Sequence, residues 1–397
     1  MLRKLILSVL VLCLFLSCAC AESGTGFVEE EPELDITQWF QLPEEERIKD
    51  KKDSDGAYLM TISCTGDFTI GGDNYHHKDL FSVQLEKHNG DINFTMANVR
   101  DILLDDDLTI VNFEGTLTDT KYVPSNKKEN SFLFNIMPSA VSVLSENGIE
   151  AVSLDNNHVR DHGDEGLDDT KLALDSAGVI YSTPNEIGVY DFKGQIKVAI
   201  LSFNCIDRYG SGFKSSKFAS EYSGEFLDHD SFEDAVCDEI RKAKEVYPLV
   251  VVSFHWGIEK EYSPTKNQIR LGHMAVEAGA DLVIGHHPHR LQPIECFNGV
   301  YICYSLGNFC FAGHNAPSDM TSIIFQIRYR VKEKNVSFKD FRIIPIRISS
   351  NPKQNDFIPT PLEDGYARDS VINNTLKDKS NIKGLDYVVT DFPLEWQ

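Results

Sequence analysis

The stretch Leu249–Phe311, LVVVSFHWGIEKEYSPTKNQIRLGHMAVEAGADLVIGHHPHRLQPIECFNGVYICYSLGNFCF, decides the fold. An apolar strand, Leu249 to Phe254, delivers His255. An amphipathic helix follows, and a second apolar strand, Asp281 to Ile284, delivers His286, His287 and His289. In α/β sheets ligands collect outside the carboxyl ends of the strands, where loops converge polar groups on one point. A single histidine there is ordinarily structural. Four in two strand-end loops point to a divalent transition metal, because each neutral imidazole offers one nitrogen lone pair.

The 397 residues fit one main domain with tails, since large sandwiches run as one domain with insertions. With 42% hydrophobic residues a packed core is available, and a net charge of -23 makes the surface acidic. Such a surface repels phosphate backbones, and no basic run offsets it, which argues against nucleic acid as a partner.

Residues 1–21 read as a secretory signal: Arg3 and Lys4, an apolar run from Leu5 to Leu16, then the small residues SCACA. The apolar core falls short of the roughly 20 residues a spanning helix needs. Two cleavage sites compete, Ala19-x-Ala21 before Glu22 and a lipoprotein-like box that would leave a lipidated Cys18. Either places the mature protein outside the cytoplasm, secreted or lipid-anchored. Residues 22–57 form an acidic tether with EEEPE and PEEE runs, or a short docked helix around Pro43 to Lys51. The folded domain spans 58–350, and 351–397 is a C-terminal tail without a readable motif. Beyond the signal, Cys64, Cys205, Cys237, Cys296, Cys303 and Cys310 have spacings that do not demand disulfides, and no C-x-x-C pair suggests zinc or redox chemistry.

The pattern of the decisive stretch recurs upstream. YLMTISCTGD is a strand ending in Gly66-Asp67, Leu108 to Phe113 is a strand ending with Asn112 and Glu114, and a third strand precedes Asn156, Asn157 and His158. A helix from about Gly166 to Ser176, a strand from Gln195 to Phe203, an insertion from Asp207 to Asp230 and a helix from Asp230 to Val246 complete the chain before Leu249. Asp67, Glu114, Asn157, His158, His255, His287 and His289 thus form one constellation on different strands. Mixed oxygen and imidazole ligands suit zinc, manganese or iron. Two such ions about 3.5 to 4 Å apart would polarise a phosphoryl or carbonyl group. Each member alone has a plainer use: Asp67 and Asp161 as turn caps, Asn157 in a bend, His158 at the surface, Glu114 as a helix cap. Trp256 and Tyr262 read as core aromatics, Glu259 as an outer partner of His255 or a helix start, and Asn308 as a backbone-bonding loop former. Asn298-Gly299 marks a hairpin.

The words NFEGTLTD (112–119), NNHVRDHGDEGL (156–167), FHWGIEKEY (254–262), GADLVIGHHPHRLQ (279–292) and YSLGNFCF (304–311), together with Gly66-Asp67, resemble the bacterial capsule-synthesis CapA family of the calcineurin-like metallophosphoesterase superfamily. The resemblance covers roughly Tyr58 to Ile346. It implies an α/β fold, a four-layer α/β/β/α sandwich. It also implies roles. Asp67 and His289 would bind a first metal, Glu114 would bridge, and Asn157, His255 and His287 would bind a second. His158 would protonate the leaving group, oriented by Asp161. In one departure the superfamily's Asp-x-His is here Asp67-Phe68-Thr69, so the first metal lacks the histidine of that motif and one or two ions, manganese, zinc or iron, would be held.

The family's role is in making or exporting poly-γ-glutamate capsule, and fold alone does not give a substrate. Two classes stay open. One is a metal-dependent hydrolase acting on a phosphoester or on the γ-glutamyl amide of the anionic extracellular polymer. The other is a non-catalytic capsule-assembly or polymer-binding protein that keeps the site as scaffold. Membrane capsule-synthesis proteins are candidate partners of either.

Overall fold

Strands that read as unbroken apolar runs, such as Leu249–His255, must be covered on both faces, and the architecture supplies both covers. The computed structural model describes residues 51–73, 80–125, 132–183, 186–206, 229–363, 365–376 and 383–396. The expected signal, most of the expected tether and nearly all of the expected insertion, 207–228, lie outside the described residues.

In chain order the strands are β1 (Tyr58–Thr69), β2 (Gly72–Asp73), β3 (Leu108–Phe113), β4 (Thr116–Leu117), β5 (Phe134–Ile136), β6 (Ala151–Ser153), β7 (Ile180–Ser182), β8 (Gly188–Phe192) and β9 (Ile196–Asn204). They continue with β10 (Leu249–His255), β11 (Leu282–His286), β12 (Ile294–Phe297), β13 (Val300–Cys303), β14 (Asn308–Phe311), β15 (Thr321–Lys332), β16 (Asn335–Arg347) and β17 (Thr360–Pro361). One sheet runs β17-β16-β15-β1-β3-β6-β7, with β14 paired to the end of β1, and a second runs β12-β13-β11-β10-β9-β8. β1, β3, β6 and β7 pair in parallel, as do β9, β10, β11 and β13, while β15 and β16 form a long antiparallel pair. A small sheet β2-β5-β4 lies beside them.

Alternation assigns the layers. Ile62, Cys64, Leu108 and Ile110 of the first sheet share one buried cluster with Ile200, Val251, Leu282 and Ile284 of the second, so the sheets pack face to face. The other face of the first sheet, through Val111, Phe113 and Val152, is covered by Leu167 and Leu174 of the helix Gly163–Ala177. Val250, Val252 and Phe254 of β10 lie under Phe232, Val236 and Ile240 of the helix His229–Val246 and Leu271 and Ala275 of the helix Lys266–Ala278. Helix, sheet, sheet, helix is the expected four-layer α/β/β/α sandwich. The helix Lys266–Ala278 starts where a capping box allows it: Thr265 accepts from the Gln268 N–H, and the Gln268 side chain accepts from the Thr265 N–H.

The segment beyond 350, set apart in the sequence, is woven into this body. β17 pairs with β16, the Val389 N–H donates to Ile294 O, and Val371, Ile372, Leu376, Val389 and Phe392 are buried in the inter-sheet core. These residues are too widely spaced to show a period, which is why the sequence hides their docking. The hairpin at Asn298-Gly299 joins β12 to β13, with Phe297 opposite Val300. All six described cysteines are free, and all but Cys296 are buried.

Candidate metal centre

The same alternation aims the site. On β3, Leu108 and Ile110 face between the sheets, so Asn112 and then Glu114 point the same way. On β10, Val251 sets the parity of His255, and on β11, Leu282 and Ile284 set that of His286. Parallel pairing puts these tips side by side, with Asp67 opposite Asn112 and His255 opposite His286. Two glycines let the backbones close in. A Cβ on Gly66 would stand 2.2 Å from Gly307 O, and one on Gly285 would stand 2.2 Å from Tyr304 O. Beyond β11 the chain turns sharply, with His287 at φ 94 and His289 at φ 53, left-handed conformations that side chains other than glycine adopt at a cost.

The side chains converge as follows. Glu114, His287 and His289 each bring a donor atom within 4.8 Å of the other two. His255 Nε2 lies 3.5 Å from Glu114 Oε1, and His158 Nε2 lies 4.0 Å from the same oxygen. His158 Nδ1 sits 2.8 Å from Asp161 Oδ2, which also accepts the Phe134 N–H at 2.8 Å. Because the carboxylate only accepts, the Asp161 contact puts the proton on His158 Nδ1 and turns Nε2 toward Glu114. Asp67 is fully buried. Its Oδ1 accepts from Asn112 Nδ2 at 2.8 Å, and its Oδ2 lies 3.0 Å from His289 Nδ1 and 3.3 Å from the His287 N–H. Asn112 in turn accepts from Asn156 Nδ2 at 3.1 Å and has its Nδ2, which can only donate, 3.3 Å from His255 Nδ1.

The electrostatics fit a cation. Burial, and then Asp67, push the Glu114 carboxyl up to about 7. Burial and neighbouring His289 hold His287 down at about 3, and burial with His287 holds His255 well below the usual imidazole value. Against burial, Glu114 and Asp67 raise His289 to about 9. The charges that keep a proton on His289 are those that would hold a metal. Both Glu114 carboxylate oxygens, His255 Nε2, His287 Nδ1 and Asn157 Oδ1 are buried without a hydrogen-bond partner among the described residues. Buried polar atoms in folded proteins are nearly always partnered, so a shared cluster of such atoms marks the place of a ligand they have in common. Oxygen and imidazole donors suit a borderline transition metal.

The structure therefore gathers Glu114, His158, Asp161, His255, His287 and His289 around one point, with Asp67 behind His289, while the buried, unpartnered Asn157 oxygen belongs to the residue before His158. Thr69, on the strand where the superfamily has a histidine, is buried with its hydroxyl unpartnered among the described residues. Sequence reasoning noted Asn112, Asn156 and His286 at the strand ends but left them out of the constellation; His286 lies 3.5 Å from Asp67 Oδ1 through its Nδ1. The alternation of β3 and β11 was the signal for the first and last. Asn308 does more than bond backbone: its Oδ1 lies 2.9 Å from His289 Nδ1. Trp256 is core, stacked on Phe254 and donating to Tyr304 O, whereas Tyr262 is exposed and donates to Asp319. The expectation of a core role for Tyr262 fails because it lies in the loop before Thr265, outside the strand. Glu259 is exposed in the same loop, ahead of the helix start.

The chain belongs to the bacterial capsule synthesis protein PGA_cap family, whose model matches residues 61–313. It is 29% identical over 349 residues to the PGA biosynthesis protein CapA of Bacillus subtilis (strain 168), covering 86% of this chain and 83% of that one. It is 27% identical over 347 residues to the capsule biosynthesis protein CapA of Bacillus anthracis, covering 85% and 77%. The solved calcineurin-like phosphoesterase YfkN from Bacillus subtilis aligns with 76% of this chain and 94% of its own, with a TM-score of 0.41 and 16% identity.

Proposed function

We propose that this protein is an extracytoplasmic, metal-dependent hydrolase of poly-γ-glutamate capsule biosynthesis, cleaving a phosphoester or the γ-glutamyl amide of the polymer. The observation that carries the reading is the set of buried, unpartnered donors on Glu114, His255, His287 and Asn157 beside an oriented His158. Glu114, His287 and His289 would hold a divalent ion of manganese, zinc or iron, with His255 and Asn157 at its margin. Such an ion supplies Lewis-acid polarisation of a phosphoryl or carbonyl oxygen and acidifies water.

The protein's own groups do the rest. Asp161 accepts from His158 Nδ1 and keeps the ring oriented, so that His158, protonated also on Nε2, delivers that proton to the departing oxygen or nitrogen. The leaving group carries the proton away, and the attacking water restores one to the ring. The Phe134 ring, 4.7 Å from that of His158 and itself buried, shields one side of the imidazole from water. The capsule assignment draws on the names of the relatives, and the extracytoplasmic one on the signal-like residues 1–21.

The test is hydrolysis of an activated aryl phosphodiester and of poly-γ-glutamate by purified protein supplied with each metal in turn. Cleavage of either that depends on metal supports the reading. Cleavage of neither with any metal, together with capsule formation by cells carrying His158→Ala, would replace it with a non-catalytic polymer-handling role.

A further inference from the structure

Asp67 is the residue the superfamily resemblance places on a first metal, and the geometry around it is unlike that of a ligand. A carboxylate has about four lone-pair positions. Here Oδ1 accepts from Asn112 Nδ2 at 2.8 Å with His286 Nδ1 at 3.5 Å, and Oδ2 faces His289 Nδ1 at 3.0 Å and the His287 N–H at 3.3 Å. Asn112 Nδ2 thus holds Oδ1, and His289 Nδ1 and the His287 N–H hold Oδ2, while His286 Nδ1 stands near Oδ1 without a hydrogen bond. Asp67 is also not among the residues whose donor atoms gather within 4.8 Å, which are Glu114, His287 and His289.

His289 shows what the arrangement does. Its Nδ1 lies 3.0 Å from Asp67 Oδ2 and 2.9 Å from Asn308 Oδ1, both acceptors. That nitrogen is therefore the one bearing hydrogen, which leaves Nε2 with the lone pair to give. A carboxylate accepting the second N–H of a ligating imidazole fixes the ring and its tautomer and raises its basicity. The strand carrying Asp67 offers no histidine to rebuild a first site, only Thr69.

We infer that the centre holds a single ion, bound through Glu114, His287 and His289, and that Asp67 is a positioning residue that acts through His289 and does not touch the ion. This rests on the metal-centre reading proposed above and sharpens it: the hydrolase would be mononuclear, where the superfamily resemblance implies a second ion.

The test is metal content of the full chain titrated to saturation with Mn(II), and separately with Zn(II), with the electron paramagnetic resonance spectrum of the Mn(II) form. One ion per chain is expected, with the hyperfine pattern of isolated Mn(II). Asp67→Asn, which keeps an acceptor for His289, should still bind one ion with affinity lower by about 10–100-fold. Two ions per chain in the wild type, or an exchange-coupled Mn(II) pair, would overturn the inference while leaving the metal-dependent reading in place. No ion at all would overturn both. Because the spectrum is taken on wild-type protein, the test stands even if Asp67→Asn fails to fold.

Discussion

His158 and Asp161 sit three residues apart on the turn that enters the helix Gly163–Ala177, and the pair is rigid because Asp161 also anchors the Phe134 N–H. His158→Ala should lower hydrolysis by about 10²- to 10⁴-fold, the usual worth of a general acid, with metal content unchanged. Asp161→Asn should fall between this variant and wild type, since the ring stays in place but loses its orienting charge. The contrast is best read with a poorly activated leaving group, because an activated phenolate departs with little need of protonation. Equal rates for wild type and His158→Ala on such a substrate would remove His158 from the mechanism. At this scale the sequence was generous. Asp67, Glu114, Asn157, His158, His255, His287 and His289 follow apolar runs, and a strand end is where a lone polar residue stands out. What it could not give was who bonds whom. That Asp67 lies behind His289, and that Asn112 joins Asp67 to the neighbourhood of His255, depend on the register of β1 against β3 and on how the two sheets pack, which no local pattern encodes.

β1 shows how an element carries the site. Its end is pinned between β3 and β14, with the Asp67 N–H donating to Gly307 O at 2.9 Å, and Gly66 leaves the room for that approach. Gly66→Ala would drive a methyl into a carbonyl that cannot swing away, so destabilisation of about 1–3 kcal/mol is expected, read as a lower denaturant midpoint. A midpoint equal to wild type would mean the two strands are looser than they stand.

The other end of β3 carries a different liability. Asp106 is pushed well above the ordinary carboxylate value by burial and then by Glu150, whose own carboxyl is raised by burial. An acid whose folded value exceeds its unfolded one favours the folded state fully at low pH and loses that contribution as pH rises through the folded value. Stability from this pair should therefore decline upward from about pH 4. Asp106→Asn, which keeps the acceptor for the Thr109 hydroxyl, should flatten that decline and raise the melting midpoint by roughly 2 °C at about pH 8. An unchanged slope of midpoint against pH would show that the two acids do not share the cost of their burial. The strands and long helices were legible because their apolar periods are sustained. β17 and the residues from 383 onward were not, since two-residue pairings and scattered anchors such as Val389 and Phe392 carry no period.

The chain as a whole is acidic, with a net charge of -23. A polyanionic substrate approaches such a body against its field, and salt weakens that field as the Debye length falls from about 30 Å at ~0.01 M to about 8 Å at ~0.15 M. Turnover of poly-γ-glutamate should rise across this range at limiting substrate, while a small aryl phosphodiester with few charges should respond far less. A steep fall with salt would instead reveal a cationic docking track for the polymer.

The central claim is that the strand tips form a metal centre and that hydrolysis depends on it. Its most direct test is elemental analysis of wild-type protein and of His287→Ala, both purified without chelator, alongside hydrolysis. Wild type is predicted to carry transition metal and to lose activity when the metal is stripped. His287→Ala, which removes an unpartnered buried donor from the middle of the cluster, is predicted to lose metal and activity together. A wild-type protein that is metal-free and cannot be loaded with manganese, zinc or iron would contradict the account.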